Sequence, residues 1–395
     1  MPIAYSPFNE SLWKDPWPTY KKMRQSDPVY YIEEFDAWAL SRFEDIWQVS
    51  MDKTRFTATQ GTSPEALLLD PNTPPKTFLF MDPPQHRKHR NLIGDRYTPA
   101  AVATLEEEIR ATTHKAMQPH LKRGSLNVNA LVSTVALQTI ANYIGLQFDE
   151  ITYIRQLIDT YYTREPGHKG TTASGVRAFE QASTFIHQLI AKYRDQAAAQ
   201  GSHIHAWMQS AIDDTQMTDD EIFFSIFALV ITGSDTLPLT VAATLYYLSL
   251  DDSDMGAVRE DNTLIPNAFT EAARIDQPTN ILGRVLSEDV EMHGKTMKKG
   301  QPVLFLYASA NRDEREFEQP EQFQLQRKSR RSLSFGASQH FCLGQHLARL
   351  EGRVILEELF AQLGDFAVQR DQSKRIFGEF LQGFCYLPIT FKPLP

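Results

Sequence analysis

A chain of 395 residues that is 42% hydrophobic and 11% aromatic has material for a large buried core, enough for two or three ordinary domains or one large fold. Its 40 basic residues against 49 acidic ones give a net charge of −9, which argues against a nucleic-acid binder, since such proteins are normally basic. Cys342 and Cys385, the two cysteines, make no disulfide framework and fit a reducing, cytoplasmic setting.

The N-terminal stretch MPIAYSPFNESLWKDPW has neither a basic region nor an apolar run, so no signal peptide or membrane anchor is expected. Residues 28–43 alternate aromatic, aliphatic and charged positions and predict a hairpin. From about Thr98 to Leu250 the pattern is helical almost throughout, with Ala130–Leu146 and Phe179–Gln196 as amphipathic examples. Between them Arg164–Gly175, rich in glycine and hydroxyl residues, reads either as a plain connection or as a lid over a pocket. Strand-like runs return after Leu282 and end in Cys385–Phe391. Helices in the middle and small sheets at both ends, with no linker-like change of composition, predict one mainly α fold with small β-sheets over residues 1–395.

Thr218, Asp219, Asp220 and Glu221 form a capping box that opens a helix reaching to about Leu250, roughly 45 Å at ~1.5 Å per residue. Its longest apolar run, Ile222–Ile231, is followed by Asp235 and Pro238, which makes a membrane span a poor reading. Gly233 and Pro238 loosen the helix centre, because Pro238 has no N–H for the Ser234 carbonyl. Thr236 can turn its hydroxyl onto the Thr232 carbonyl, with Asp235 beside it. Such a turn is either a packing kink or a proton relay.

Glu271 and Arg274 share a helical face, as do His86 and Arg90 in MDPPQHRKHR; by themselves such sets are usually surface charge. Cys342 precedes an apolar helical stripe running from Leu343 to Leu359, so its sulfur lies near a helix N-terminus, where the dipole favours a thiolate, and Gly344 permits close backbone approach. Zinc would need more ligands nearby. A nucleophile would need a base, for which His340 and His346 are the candidates. Haem needs one strong axial ligand and cations for its propionates, a reading that uses all these features together.

The ordered set of motifs resembles the cytochrome P450 family over nearly the whole chain. The family's Phe-Gly-x-Gly-x-His-x-Cys-x-Gly appears as Phe335, Gly336, Ser338, His340, Cys342 and Gly344. Its Glu-x-x-Arg appears as Glu271 and Arg274, and its Ala/Gly-Gly-x-Asp/Glu-Thr-Thr as Thr232 to Leu237. The resemblance implies a single triangular-prism fold that binds haem b, with Cys342 as axial thiolate to the iron. It also implies that His86, Arg90, Arg284 and His340 hold the propionates, and that Phe335 packs on the cysteine side. Asp235 and Thr236 match the acid–alcohol pair that delivers protons during oxygen activation, and Glu271 and Arg274 become a buried structural pair.

Three departures follow. Ser338 replaces a glycine, tolerable at negative φ; Leu237 leaves Thr236 the sole hydroxyl of its pair; and Gln322 stands where the family often has an arginine, a place Arg312 is a candidate to fill. By family position, Phe78, Leu229, Val230, Leu237, Ile281, Leu282 and Phe384 contact an apolar substrate. The implied reaction inserts one atom of O2 into a hydrophobic small molecule by hydroxylation or oxidative dealkylation. No flavin or iron–sulfur segment is present, so electrons are expected from a ferredoxin and its NAD(P)H-dependent reductase. Gln326–Arg331, Arg349 and Arg353 are either its docking site or solvated charge. The rival readings are a hydrogen-peroxide-driven peroxygenase and a non-catalytic haem-thiolate sensor, with a haem-free cysteine hydrolase behind them.

Overall fold

The computed structural model describes residues 3–69, 77–196 and 200–393. The predicted hairpin is β1 (Val29–Ile32) paired antiparallel with β2 (Ala37–Leu40). It belongs to a five-stranded sheet that also holds β3 (Phe56–Thr57). The helical region follows: α1 (Gln85–Gly94), α2 (Glu106–Leu121), α3 (Val128–Ile144), α4 (Phe148–Tyr161), α5 (Ala173–Asp195) and α6 (Asp219–Leu248). After α7 (Ile265–Ile275) come β4 (Ile281–Leu286) and β5 (Pro302–Leu306), which complete the sheet in the order β1-β2-β5-β4-β3. The β2–β5 pair is parallel and the others antiparallel. The long helix α8 (Gln345–Leu363) and a hairpin of β6 (Lys374–Phe377) and β7 (Gln382–Tyr386) follow the cysteine loop.

Helix α6 is the centre of the molecule and packs on α3, α5, α7 and α8. Its capping box forms as the sequence predicts: the Thr218 hydroxyl accepts the Glu221 N–H at 3.2 Å, and the Glu221 carboxylate accepts the Thr218 N–H at 2.8 Å. By length and composition α6 would reach across a membrane, yet it is mostly buried inside the protein as a core helix. The helix stays continuous through Gly233 and Pro238. Gly233 has a packing reason as well, since a Cβ there would come within 2.5 Å of the Ile140 side chain on α3. One large apolar cluster unites the helices, and two smaller ones flank the sheet. Between α6, the cysteine loop and the sheet lies a cavity.

Candidate active site

The floor of the cavity is the loop from Leu333 to Gly344. Gly336 turns the chain at φ +72° and the Cys342 N–H donates to the Phe335 carbonyl at 2.8 Å, which folds the loop under the sulfur. Gly344 is the N-cap of α8. Burial pushes the Cys342 thiol above its usual range, contrary to the thiolate that the helix terminus alone suggests, while the Gly344 N–H, Arg90 and Arg349 pull it down. The Arg349 guanidinium lies 4.6 Å over the Phe335 ring. Ser338 sits at φ +59°, so its side chain is held in the left-handed region that a glycine would occupy freely, and the negative φ that would have made it harmless is not adopted.

His86, Arg90, Arg284 and His340 converge on one side of the cavity. The two imidazoles stand 4.4 Å apart, and the Nε2 of each is buried without a partner. Burial, reinforced by the neighbouring guanidinium groups, lowers His86 to about 4 and His340 to about 2. Arg90 donates to the Phe341 carbonyl at 2.8 Å and Arg284 to its neighbour Gly283 at 2.7 Å, so each has further N–H groups to give. Two partnerless imidazole nitrogens and two guanidinium groups in one apolar cavity are the donor set that a pair of carboxylates requires. With Cys342 beside them, these residues fit a haem.

The opposite wall is α6. Leu229, Thr232, Gly233, Thr236 and Leu237, at helical spacing, line the cavity. Val230 does not: one residue on, about 100° round the helix, it is fully buried in the core. Asp235 is ion-paired with Arg155 of α4, which also donates to Ser234 Oγ at 2.9 Å and pairs with Asp159. Burial raises the Asp235 carboxyl to about 6 against the pull of Arg155. Nothing local marks Arg155, because it lies 80 positions away on another helix.

The Thr236 hydroxyl is 3.4 Å from the Thr232 carbonyl. That is beyond a good O–H···O bond, so this hydroxyl is free to donate elsewhere. Glu351 of α8 also borders the cavity; its carboxyl is pushed to about 8 by burial, and one oxygen has no partner.

Phe78 and Leu282 reach the cavity, whereas Ile281 and Phe384 do not. Strand alternation sends Ile281 to the other face of β4, into the cluster with Tyr20 and Leu304. Phe384 instead stacks on Tyr246 at 4.1 Å, with Arg375 4.3 Å over its ring. Pro278, Thr279, Phe380 and Leu381 take the vacated places. Beside the hairpin tip, Arg164 in the connection from α4 to α5 pairs with Glu65 at 2.8 Å and Glu379 at 3.1 Å.

Glu271 and Arg274 are buried and paired at 2.7 Å. The third member is Arg327, whose Nε donates to Glu271 at 2.9 Å. Arg312 is not: it donates to the Ile275 carbonyl, pairs with Glu321 and stacks 3.5 Å over Trp17. Gln322 contributes only its backbone carbonyl. Arg327 is therefore lost from the basic run, Arg331 is spent on Glu44 and Glu316, and Arg353 on Glu106 and Glu357. Lys328, Arg330 and Arg349 remain exposed.

The Cytochrome P450 family model matches residues 156–391. The chain belongs to the cytochrome P450 family. Among relatives, Cytochrome P450 109 of Bacillus spizizenii is 30% identical over 95% of this chain and 92% of its own length. Putative cytochrome P450 123 of Mycobacterium tuberculosis is 29% identical over 98% and 97%. Among solved structures, CYP109E1 from Bacillus megaterium in complex with testosterone superposes with a TM-score of 0.86 at 25% identity, covering 97% of this chain and 100% of that one. CalO2 gives 0.85 at 26%, covering 99% and 100%. The fold is that of the P450s, the cofactor is haem b, and the protein is a haem-thiolate monooxygenase of the bacterial type.

Proposed function

We propose that this P450 inserts one oxygen atom into a hydrophobic small molecule, by hydroxylation or oxidative dealkylation, with electrons from a separate ferredoxin and its NAD(P)H-dependent reductase in the cytoplasm. The observation that carries this reading is the pairing of an acid and a free alcohol, Asp235 and Thr236, on the wall facing Cys342. Bound haem supplies the reductive activation of dioxygen. Cys342 would hold the haem iron through its sulfur, and His86, Arg90, Arg284 and His340 would hold the propionates.

Thr236 presents its hydroxyl proton to the reacting oxygen and is resupplied by the Asp235 carboxyl, which exchanges with solvent when Arg155 releases it. Phe78, Leu229, Leu237 and Leu282 exclude water and hold the substrate by apolar contact. Arg164, bridging Glu65 and Glu379, holds the α4–α5 connection as a lid. The exposed Arg349, Lys328 and Arg330 form the docking patch for an acidic ferredoxin. Testosterone, the ligand of the CYP109E1 complex, is the kind of compact apolar molecule that such a cavity suits.

The test is turnover of a spin-shifting ligand with ferredoxin, reductase and NAD(P)H, against hydrogen peroxide alone. Product with the electron chain and little with peroxide supports the proposal. The reverse would make the protein a peroxygenase, and no product from either would make it a sensor.

A further inference from the structure

Along α6, threonines recur every fourth residue at 232, 236, 240 and 244, each turning its hydroxyl onto the carbonyl four residues back. The bonds are not equal. Thr232, Thr240 and Thr244 donate at 2.9, 3.0 and 2.8 Å, whereas Thr236 stands off at 3.4 Å. Thr236 is thus the loose hydroxyl that the reaction uses, and Thr232 is a different object. Its side chain is exposed in a helix whose neighbouring Val230 and Ile231 are buried, and the space it is exposed to is the cavity. It occupies the position where the family motif has alanine or glycine, so this chain adds a hydroxyl where the motif has none.

We propose that Thr232 is a specificity-determining residue whose oxygen accepts a hydrogen bond from the hydroxyl of a neutral, otherwise apolar substrate. Its own proton is committed to the Ala228 carbonyl, so what it offers the cavity is two lone pairs. A hydrocarbon leaves that acceptor unused, and a ketone cannot donate to it. Nor is an acid a suitable partner. Among the described residues the guanidinium groups lining the cavity are Arg90 and Arg284, at the propionate side, and Arg155, which meets α6 at Ser234 and Asp235, is spent on Asp235 and Asp159. A carboxylate at Thr232 would face an acceptor and the Asp235 acid with no unpaired cation to compensate. This inference rests on the proposed function, since it assigns the substrate of that same cavity.

The test uses the haem-loaded protein and a size-matched series: 4-cyclohexylcyclohexanol, 4-cyclohexylcyclohexanone, bicyclohexyl and 4-cyclohexylcyclohexanecarboxylate, with affinities from calorimetry. The alcohol is expected to bind about 2- to 10-fold more tightly than the ketone or hydrocarbon, the worth of one net hydrogen bond, and the carboxylate most weakly. Thr232→Val, which keeps the shape of the side chain, should bring the alcohol to the level of the hydrocarbon or below it, because its hydroxyl is then buried without a partner, and Thr232→Ser should keep the preference. Equal affinities across the series, tightest binding of the ketone or carboxylate, or an unchanged preference in Thr232→Val each overturns the assignment. The reduced, carbon-monoxide-bound spectrum of the same samples separates the two levels. A thiolate-type spectrum with no alcohol preference rejects only the role of Thr232, and absence of that spectrum in the unmutated protein rejects the site reading beneath it.

Discussion

The two walls of the cavity treat their polar groups in opposite ways. On the cysteine side, His86 and His340 each bury a ring nitrogen with no partner, and Arg90 and Arg284 have N–H groups to spare. On the α6 side almost everything is already paired: Asp235 to Arg155, Ser234 to the Val230 carbonyl, and the threonines to the helix backbone. A buried polar group without a partner costs free energy, so the first wall is built to be completed by an anionic ligand. The second keeps one loose hydroxyl, that of Thr236, 3.4 Å from the carbonyl it faces. Donors for an anion stand unpaired on one side, and on the other, in the proposed reading, Thr236 is where proton movement is gated.

The largest effect is expected beneath the cysteine wall. Glu271→Gln leaves Arg274 and Arg327 buried beside a neutral side chain, and the loss of such a partner costs about 3–5 kcal/mol; denaturant titration should show it as a large fall in midpoint. On the α6 wall, Asp235→Asn should lower turnover by about 10²-fold while ligand affinity and the reduced carbon monoxide spectrum stay as they are. Because the Asp235 carboxyl keeps its proton up to about 6, product formed per electron should fall as pH rises through that value, and the variant should lose this dependence. The same group makes the protein less stable as pH rises between 3.8 and about 6, since the unfolded chain releases the proton first.

A smaller effect sharpens the contrast between the walls. If His86 serves a propionate as proposed, His86→Phe takes away a donor worth about 1.5–3 kcal/mol for a bond to a charged group, and should speed haem loss to apomyoglobin about 10- to 100-fold. Thr240→Val, on the other wall, should leave haem retention unchanged. The smallest effect is Ser338→Gly, which relieves a left-handed backbone at the cost of a floppier unfolded chain; a net gain of about 0.5–1 kcal/mol should appear as a modest rise in melting temperature with no spectral change.

Much of this was legible in the sequence where neighbours along the chain decide the outcome. The capping box at Thr218 and the pairing of Glu271 with Arg274 both follow from spacings of three residues. The family follows from the order of its motifs. What the sequence did not reveal depends on how distant segments meet. Arg155 reaches Asp235 from another helix, and Arg327 rather than Arg312 meets Glu271 because of the path of the loop after Pro320. Facing was the other gap. Leu229 and Leu282 line the cavity while their neighbours Val230 and Ile281 do not, a choice fixed by helix rotation and strand alternation once the elements are packed. The φ of Ser338, likewise, is set by the loop closing on Cys342 and not by the serine.

The most direct test of the haem-thiolate site is the absorption spectrum of the purified protein, reduced and exposed to carbon monoxide, alongside that of Cys342→His. A strongly red-shifted Soret band in the unmutated protein, lost in the variant, is the predicted result and would establish Cys342 as the thiolate ligand. A band in the position of histidine or thiol ligation in the unmutated protein, or no haem at all, would contradict it.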